Sequence, residues 1–388
     1  MSSLTRLSFF YVAIYLGTGV SLPYIATYLR DCGMSGAAIG LILAIPMLAK
    51  PFTGPALAVW ADGFTLRRSP MVLLSLGAGL GYAALLIAPG ALGLAVAWFI
   101  GQTLLSTVSP LLDVIALRRA RSEGFNYGLP RGTGSAAFIV ANLIMGVVLT
   151  FVASAIIPIW IALAALLAAL AAGVFVPPER VHAEGAKPVG AERWKGVGLL
   201  LRNRTFLLAV TTAGLIQGAH AFYYGFSTII WREQGISDPI IGGLWGVGVA
   251  AEVAFMWFLE PWRRKVGPEK LMILGGVAAV LRWIAYAFTP PLWLLFPLQA
   301  LHAFTFAASF LASLRLIEKL TPPSHASSAQ AMNSALSMGF ALGVATWFSG
   351  HLFDAFGSYS YLAMAGVAAL GLAGAIILNH RTGGRGPS

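Results

Sequence analysis

Cysteine is all but missing from this chain of 388 residues, since Cys32 stands alone. That excludes an intrachain disulfide framework and any cysteine-rich metal site. Charge is almost as scarce, at 10% of residues against 58% hydrophobic, far below what covers the surface of a soluble domain. No glycine-rich phosphate loop is present, so nucleotide hydrolysis drives nothing on this chain. No nucleophile–base or metal-ligand spacing is visible either, which argues against an enzyme and calls for no cofactor or metal. The net charge of +11 would suit nucleic acid as a partner. Its distribution argues against that, because the positive residues fall in short segments between apolar runs.

What fills the chain is apolar runs long enough to cross a bilayer, which takes ~20 residues each. The sequence predicts twelve, at 7–29, 36–60, 70–88, 91–117, 132–153, 156–176, 205–231, 239–262, 271–289, 292–318, 327–352 and 359–379. The first lacks a small-residue cleavage site and leads directly into the second, so it reads as a span and not a leader. The one long charged connector, 177–204, divides the chain into a half at 1–176 and a half at 205–388. The expected fold is an all-α membrane protein of twelve helices in two pseudo-symmetric halves of six, acting as a monomer in a lipid bilayer. Connectors after even-numbered spans carry Arg67, Arg68, Arg118, Arg119, Arg121, Arg263, Arg264, Lys265 and Lys270, and 177–204 holds six more Lys or Arg. The opposite side has only Arg30 and Arg232. The positive-inside rule therefore puts both termini in the cytoplasm.

The halves resemble each other at an offset of 202 residues: Ser35, Ile39, Gly40 and Ala49 meet Ser237, Ile241, Gly242 and Ala251. On the same offset Lys50 meets Glu252, and Asp113 meets Arg315. Repeated halves are characteristic of transporters that move one half against the other around a midplane site.

Ionisable residues within spans are expensive and point to a pathway or binding site. At 1.5 Å of rise per residue, Lys50, Glu252, Arg282 and His302 fall near the bilayer centre, while Asp113 and Arg131 fall toward the cytoplasm. His220 lies toward the outside. Gln217, His220 and Tyr224 share one helical face, with Tyr223 beside them. Lys50, Arg282 and Arg131 face only Asp113 and Glu252 as acids, a balance that suits an anion or an acid arriving with its proton. Tyr223, Tyr224 and Trp245 offer apolar faces for a ring, and Gln299 joins them as a candidate substrate-binding residue. The plainer readings are structural: helix–helix hydrogen bonding, a buried Arg282–Glu252 pair, neutral histidines, and Lys50 snorkelling to an interface.

The segment AVWADGFTLRR, 58–68, resembles the loop between spans two and three of the major facilitator superfamily. Asp62, Arg67 and Arg68 match its charges and are expected to act in gating, while Ala58 stands where that pattern has glycine. A closer resemblance covers parts of seven spans, including QGAHAFYYGFSTIIW (217–231), LWGVGVAAEV (244–253), LRW (281–283), LQALHAFTF (298–306), SPLLDVIAL (109–117) and YGLPRGTGSAAF (127–138). These are similar to the bacterial 3-phenylpropionic acid transporter family, which is close to lactose permease and nucleoside–proton symporters. The resemblance implies a proton-coupled symporter of a bacterial inner membrane that imports a small aromatic monocarboxylate by alternating access. It likens Asp113 and Arg131 to the sugar-binding pair of lactose permease, at the same separation of 18 residues. It likens Glu252, Arg282 and His302 to that protein's proton machinery, with Thr305 where a second glutamate stands. A sugar or nucleoside cargo, and an uncoupled facilitator or flippase, remain open as alternatives.

Overall fold

The computed structural model describes residues 1–176, 198–322 and 325–382. Most of the predicted central connector, and Arg385 at the end of the chain, lie outside these residues. The described residues are helical, in the order α1 Ser3–Asp31, α2 Gly36–Asp62, α3 Arg68–Ala84, α4 Gly90–Glu123, α5 Gly128–Val148, α6 Ile156–Phe175, α7 Arg204–Gly218, α8 Ala221–Glu233, α9 Asp238–Phe258, α10 Glu260–Val266, α11 Pro268–Ala287, α12 Leu292–Ala300, α13 Ser309–Lys319, α14 Ala326–Asn333, α15 Leu342–Phe356 and α16 Ser360–Thr382. Two π-helical stretches, Ala303–Ala308 and Ser334–Ala341, link α12 to α13 and α14 to α15. Among the described residues, ten helical stretches are long and apolar enough to cross a membrane. That is fewer than the twelve expected. The third span is only Arg68–Ala84, and the last stretch, Ser328–Thr382, runs through both of the final two expected spans.

Local chemistry sets the ends. Ser2, Ser35 and Asn203 cap α1, α2 and α7 by accepting from backbone N–H groups of the first turn, the role short oxygen-bearing side chains fill there. Helix α4 continues past the expected 117 because Arg118–Glu123 still favours helix, with Arg119 paired to Glu123 one turn on at 3.2 Å. Gly124 then stops it in the left-handed region at φ 73°.

The chain divides into two compact units, one from the described residues of Met1–Ala186 with Ser227–Gly246, the other from those of Lys187–Phe226 with Val247–Ser388. In the first, α1 packs on α5 and α6, and α3 packs on α4 and α6. In the second, α7 packs on the π stretch 334–341 and on α16, while α11 packs on α13 and α16. The same pairing scheme therefore recurs in each unit, as the sequence offset suggests. Small residues permit it: a Cβ on Gly19 of α1 would meet the Phe138 carbonyl oxygen of α5 at 2.6 Å. Each unit has its own apolar core, around Phe10, Leu112 and Ile115 in the first and around Ile216, Phe255 and Leu316 in the second.

Candidate functional site

In the second unit a polar network is built where two helices lose regularity. Between α7 and α8 the His220 N–H turns to Gln217 O at 3.1 Å instead of the carbonyl four residues back. That frees Ile216 O, and the His220 Nδ1 occupies it, at 3.1 Å from Ile216 O and 3.2 Å from Gln217 O. Both are acceptors, so Nδ1 carries the proton and Nε2 must accept. The donor is the Thr305 hydroxyl at 3.0 Å. Thr305 itself sits in the π stretch after α12, where Pro297 has already removed one helical N–H. The loosened carbonyls there are taken up by side chains. Ser309 Oγ donates to Thr305 O at 2.6 Å, and Gln217 Nε2 donates to Phe306 O at 3.2 Å and to Ser309 Oγ at 2.8 Å. Broken helices and π segments of this kind concentrate at functional sites in membrane proteins.

Arg282 ties the network together. It is fully buried and donates to Gln299 Oε1 at 2.5 Å, to His302 Nδ1 at 2.9 Å and to Thr305 Oγ1 at 3.2 Å. Its guanidinium lies over the rings of Tyr223, Trp283 and Tyr286, at 4.6, 4.8 and 5.4 Å, a desolvated cation–π box. Tyr223 also donates to Gln299 Oε1 at 3.1 Å. With that oxygen fixed by Arg282, the buried Gln299 Nε2 is a donor without an acceptor among the described residues. An arginine only donates, so His302 Nδ1 must accept and its Nε2 must carry the proton. Nε2 faces Glu252 Oε1 at 2.9 Å, and Glu252 therefore accepts. The direct Arg282–Glu252 pair considered from sequence is replaced by a relay through His302. Tyr224 stacks on His220 with centroids 5.7 Å apart.

The first unit holds a smaller polar centre. Arg131 Nη1 reaches both Asp113 oxygens at 3.1 Å, while Tyr11 and Tyr127 donate to Asp113 Oδ1 at 2.5 and 2.8 Å. Tyr127 accepts in turn from Arg131 at 3.1 Å. Neither tyrosine was among the sequence candidates. The available signal was Tyr127 one helical turn before Arg131. Arg131 keeps 47% of its side chain exposed, but its charge is already answered by Asp113. Lys50 is exposed on α2 and has no partner among the described residues. Trp245 belongs to the first unit, donating to Thr228 at 3.0 Å and meeting Trp231 edge to face. Of the expected gating charges, Arg68 donates to Gly173 O near the end of α6 at 3.3 Å, Arg67 is half-buried, and Asp62 is exposed without an ion pair among the described residues.

Eight of the residues singled out from sequence thus meet in one network: Gln217, His220, Tyr223, Tyr224, Glu252, Arg282, Gln299 and His302. Two more, Asp113 and Arg131, pair with each other. Comparison with known proteins agrees with a transporter. The chain is 30% identical over 368 residues to a probable 3-phenylpropionic acid transporter of Escherichia coli (strain K12), covering 92% of this chain and 93% of that protein. It is also 30% identical over 360 residues to the maltose permease of Geobacillus stearothermophilus, covering 89% and 86%. The crystal structure of the nucleoside transporter NupG has the same fold, with a TM-score of 0.83 at 17% identity over 97% of this chain and 99% of that one. Residues 4–363 match the MFS_1 like family, and the chain, a multi-pass membrane protein, belongs to that family of transporters.

Proposed function

We propose that this protein is a proton-coupled symporter of a bacterial inner membrane, with cytoplasmic termini, that imports a small aromatic monocarboxylate by alternating access. The carrying observation is the relay Arg282–His302–Glu252. Because Arg282 occupies His302 Nδ1, a second proton on that ring would set two donors, and two positive charges, against each other. His220 is likewise held by two carbonyls on one side and a hydroxyl on the other. Glu252 is the acid of the network, and a proton there need not break the Arg282–His302 contact. It is the coupling site in this reading, with Arg282 and His302 holding it. Lys50 serves as the open cation for the substrate carboxylate, assisted by Arg131.

The test is Glu252→Gln in proteoliposomes. Glutamine still accepts from His302 Nε2, so the fold is kept while the proton site is lost. A gradient of one pH unit supplies ~1.4 kcal/mol per proton, enough for about tenfold accumulation. The variant should fall to no accumulation yet still exchange labelled substrate between equilibrated compartments. Tenfold accumulation by the variant would sink the proposal. A sugar or nucleoside as cargo is the second reading. It is favoured by the equal identity to a maltose permease and by the hydroxyl-rich surroundings of Asp113.

A further inference from the structure

Gln217 also borders a cavity of about 270 Å³ within the second unit, whose wall includes the amide side chains of Gln330 and Asn333 and the apolar side chains of Phe310, Leu314 and Met338. Its lining includes Ser334, Ser337 and Met338 of the second π stretch and holds no ionisable residue. The two glutamine amides are oriented without ambiguity. Gln217 Nε2 faces Phe306 O, and Gln330 Nε2 faces Leu314 O at 2.8 Å. Turning either amide over would set oxygen against carbonyl oxygen. The two Oε1 atoms are therefore fixed as acceptors, both are buried, and neither has a donor among the described residues. Gln217 as a whole is only 3% exposed. Most of the other polar groups are occupied: Ser313 and Asn333 bond each other at 2.9 and 3.1 Å, and Ser337 donates to Asn333 O, while Ser334 is exposed.

Such a cavity asks for a ligand that brings donors. A cation would find no carboxylate to balance it. A sugar presents a ring of hydroxyls that need several donors in return, and Gln217 Nε2 and the Ser337 hydroxyl already point at protein acceptors; the second Gln330 N–H and the Ser334 hydroxyl are too little for such a ring. An aromatic hydroxyl needs only an acceptor, and the ring needs an apolar wall, which Phe310, Leu314 and Met338 supply. An apolar cavity of about 150 Å³ already accommodates benzene, so this one has room for a ring with its hydroxyl.

We infer that this cavity binds a hydroxylated aromatic ring that donates its O–H to the carbonyl oxygen of Gln330. The inference deepens the proposed transport of aromatic acids and rests on that reading only for the ligand's carboxylate. It is tested on the full chain in lipid nanodiscs with 3-phenylpropionate, a ring-hydroxylated form and the matching methyl ether. The hydroxylated acid should bind about threefold to tenfold more tightly than the other two, the range given by one neutral hydrogen bond. Gln330→Met, which keeps the volume and loses the amide oxygen, should bring the ratio within about twofold. Ser334→Leu, at an exposed position of the lining, should do the same by filling space, without removing any of those hydrogen bonds. Equal affinities in the unaltered protein, a preference that survives both variants, or a sodium-dependent response in place of a hydroxyl-dependent one would overturn it. Phenol and toluene are run in parallel as probes without a carboxylate. If no acid binds while phenol outperforms toluene and loses that advantage in both variants, the proposed cargo is wrong and the cavity assignment stands. If phenol shows no advantage, the assignment falls.

Discussion

Thr305→Val tests the network at its least conspicuous member. Valine matches threonine in shape, so packing is preserved and only the hydroxyl is lost. In the structure that hydroxyl donates to His220 Nε2 at 3.0 Å and accepts from Arg282 at 3.2 Å. Removing it leaves a fully buried imidazole nitrogen without a donor, at ~1–3 kcal/mol, and takes one bond from a buried cation, at ~1.5–3 kcal/mol. Together these give roughly 3–5 kcal/mol. For a unit of roughly 200 residues each kcal/mol lowers Tm by ~2–4 °C, so a fall of about 6–20 °C is expected. Thr305→Ser keeps the hydroxyl and loses one methyl group, for ~1 kcal/mol. Thermal unfolding of the purified chain in detergent, followed by intrinsic fluorescence, compares the two directly. On packing alone the order would be valine above serine. A valine variant that melts at or above the serine variant would refute the hydrogen-bond reasoning.

Other outcomes follow from the same geometry. Gly242→Ala would bring a Cβ to 2.7 Å from the Asn142 carbonyl oxygen and 3.0 Å from the Tyr24 hydroxyl, so it should cost ~1–3 kcal/mol by overpacking. An unchanged melting temperature would show that this approach is loose. If Lys50 is the open cation, Lys50→Gln should weaken aromatic acid binding by about 10- to 100-fold and leave the amide analogue unaffected. Arg131→Lys, which gives up a planar fork, should penalise the acid more than its amide. Equal losses for acid and amide would assign both residues to structure. With one acid in the network and one carboxylate carried, transport should be electroneutral. Vesicles with a pH gradient should then accumulate substrate, whereas a potassium diffusion potential, worth ~2.3 kcal/mol per charge per 100 mV, should drive almost none. Strong potential-driven uptake would bring the neutral sugar or nucleoside cargo forward.

The spans were legible because apolar runs and positive connectors each leave a one-dimensional trace. Their irregularities were not. The break at His220 reads in sequence as continuous helix, since Ala219 and His220 are both tolerated there, and only the tertiary capture of Ile216 O by the imidazole reveals it. The π stretch at Ala303–Ala308 is hidden likewise, because its Phe306 carbonyl is satisfied from outside by Gln217. Membership of the network was visible in the cost of placing Arg282, His302 and Glu252 in hydrocarbon. Their connectivity was not, because periodicity gives depth and face but not which side chain stands between two others. Tyr11 was missed for a related reason: an aromatic residue in a first span is unremarkable until the fold brings it to Asp113, 102 positions away.

The burial of Arg282 also bears on how the protein is made. Helix α11 leaves the ribosome carrying a cation whose ligands Gln299, His302 and Thr305 have not yet been synthesised. Alone at the centre of a nascent helix, an arginine costs ~2.5–3.5 kcal/mol to insert. Only the turn at 288–291 separates α11 from the segment that supplies those ligands, so the two can enter the membrane together as a hairpin with the guanidinium already bonded. The natural insertion unit here is therefore the pair 268–319. A nascent chain ending at Ala287 should hold its last helix in the bilayer less well than one ending at Lys319.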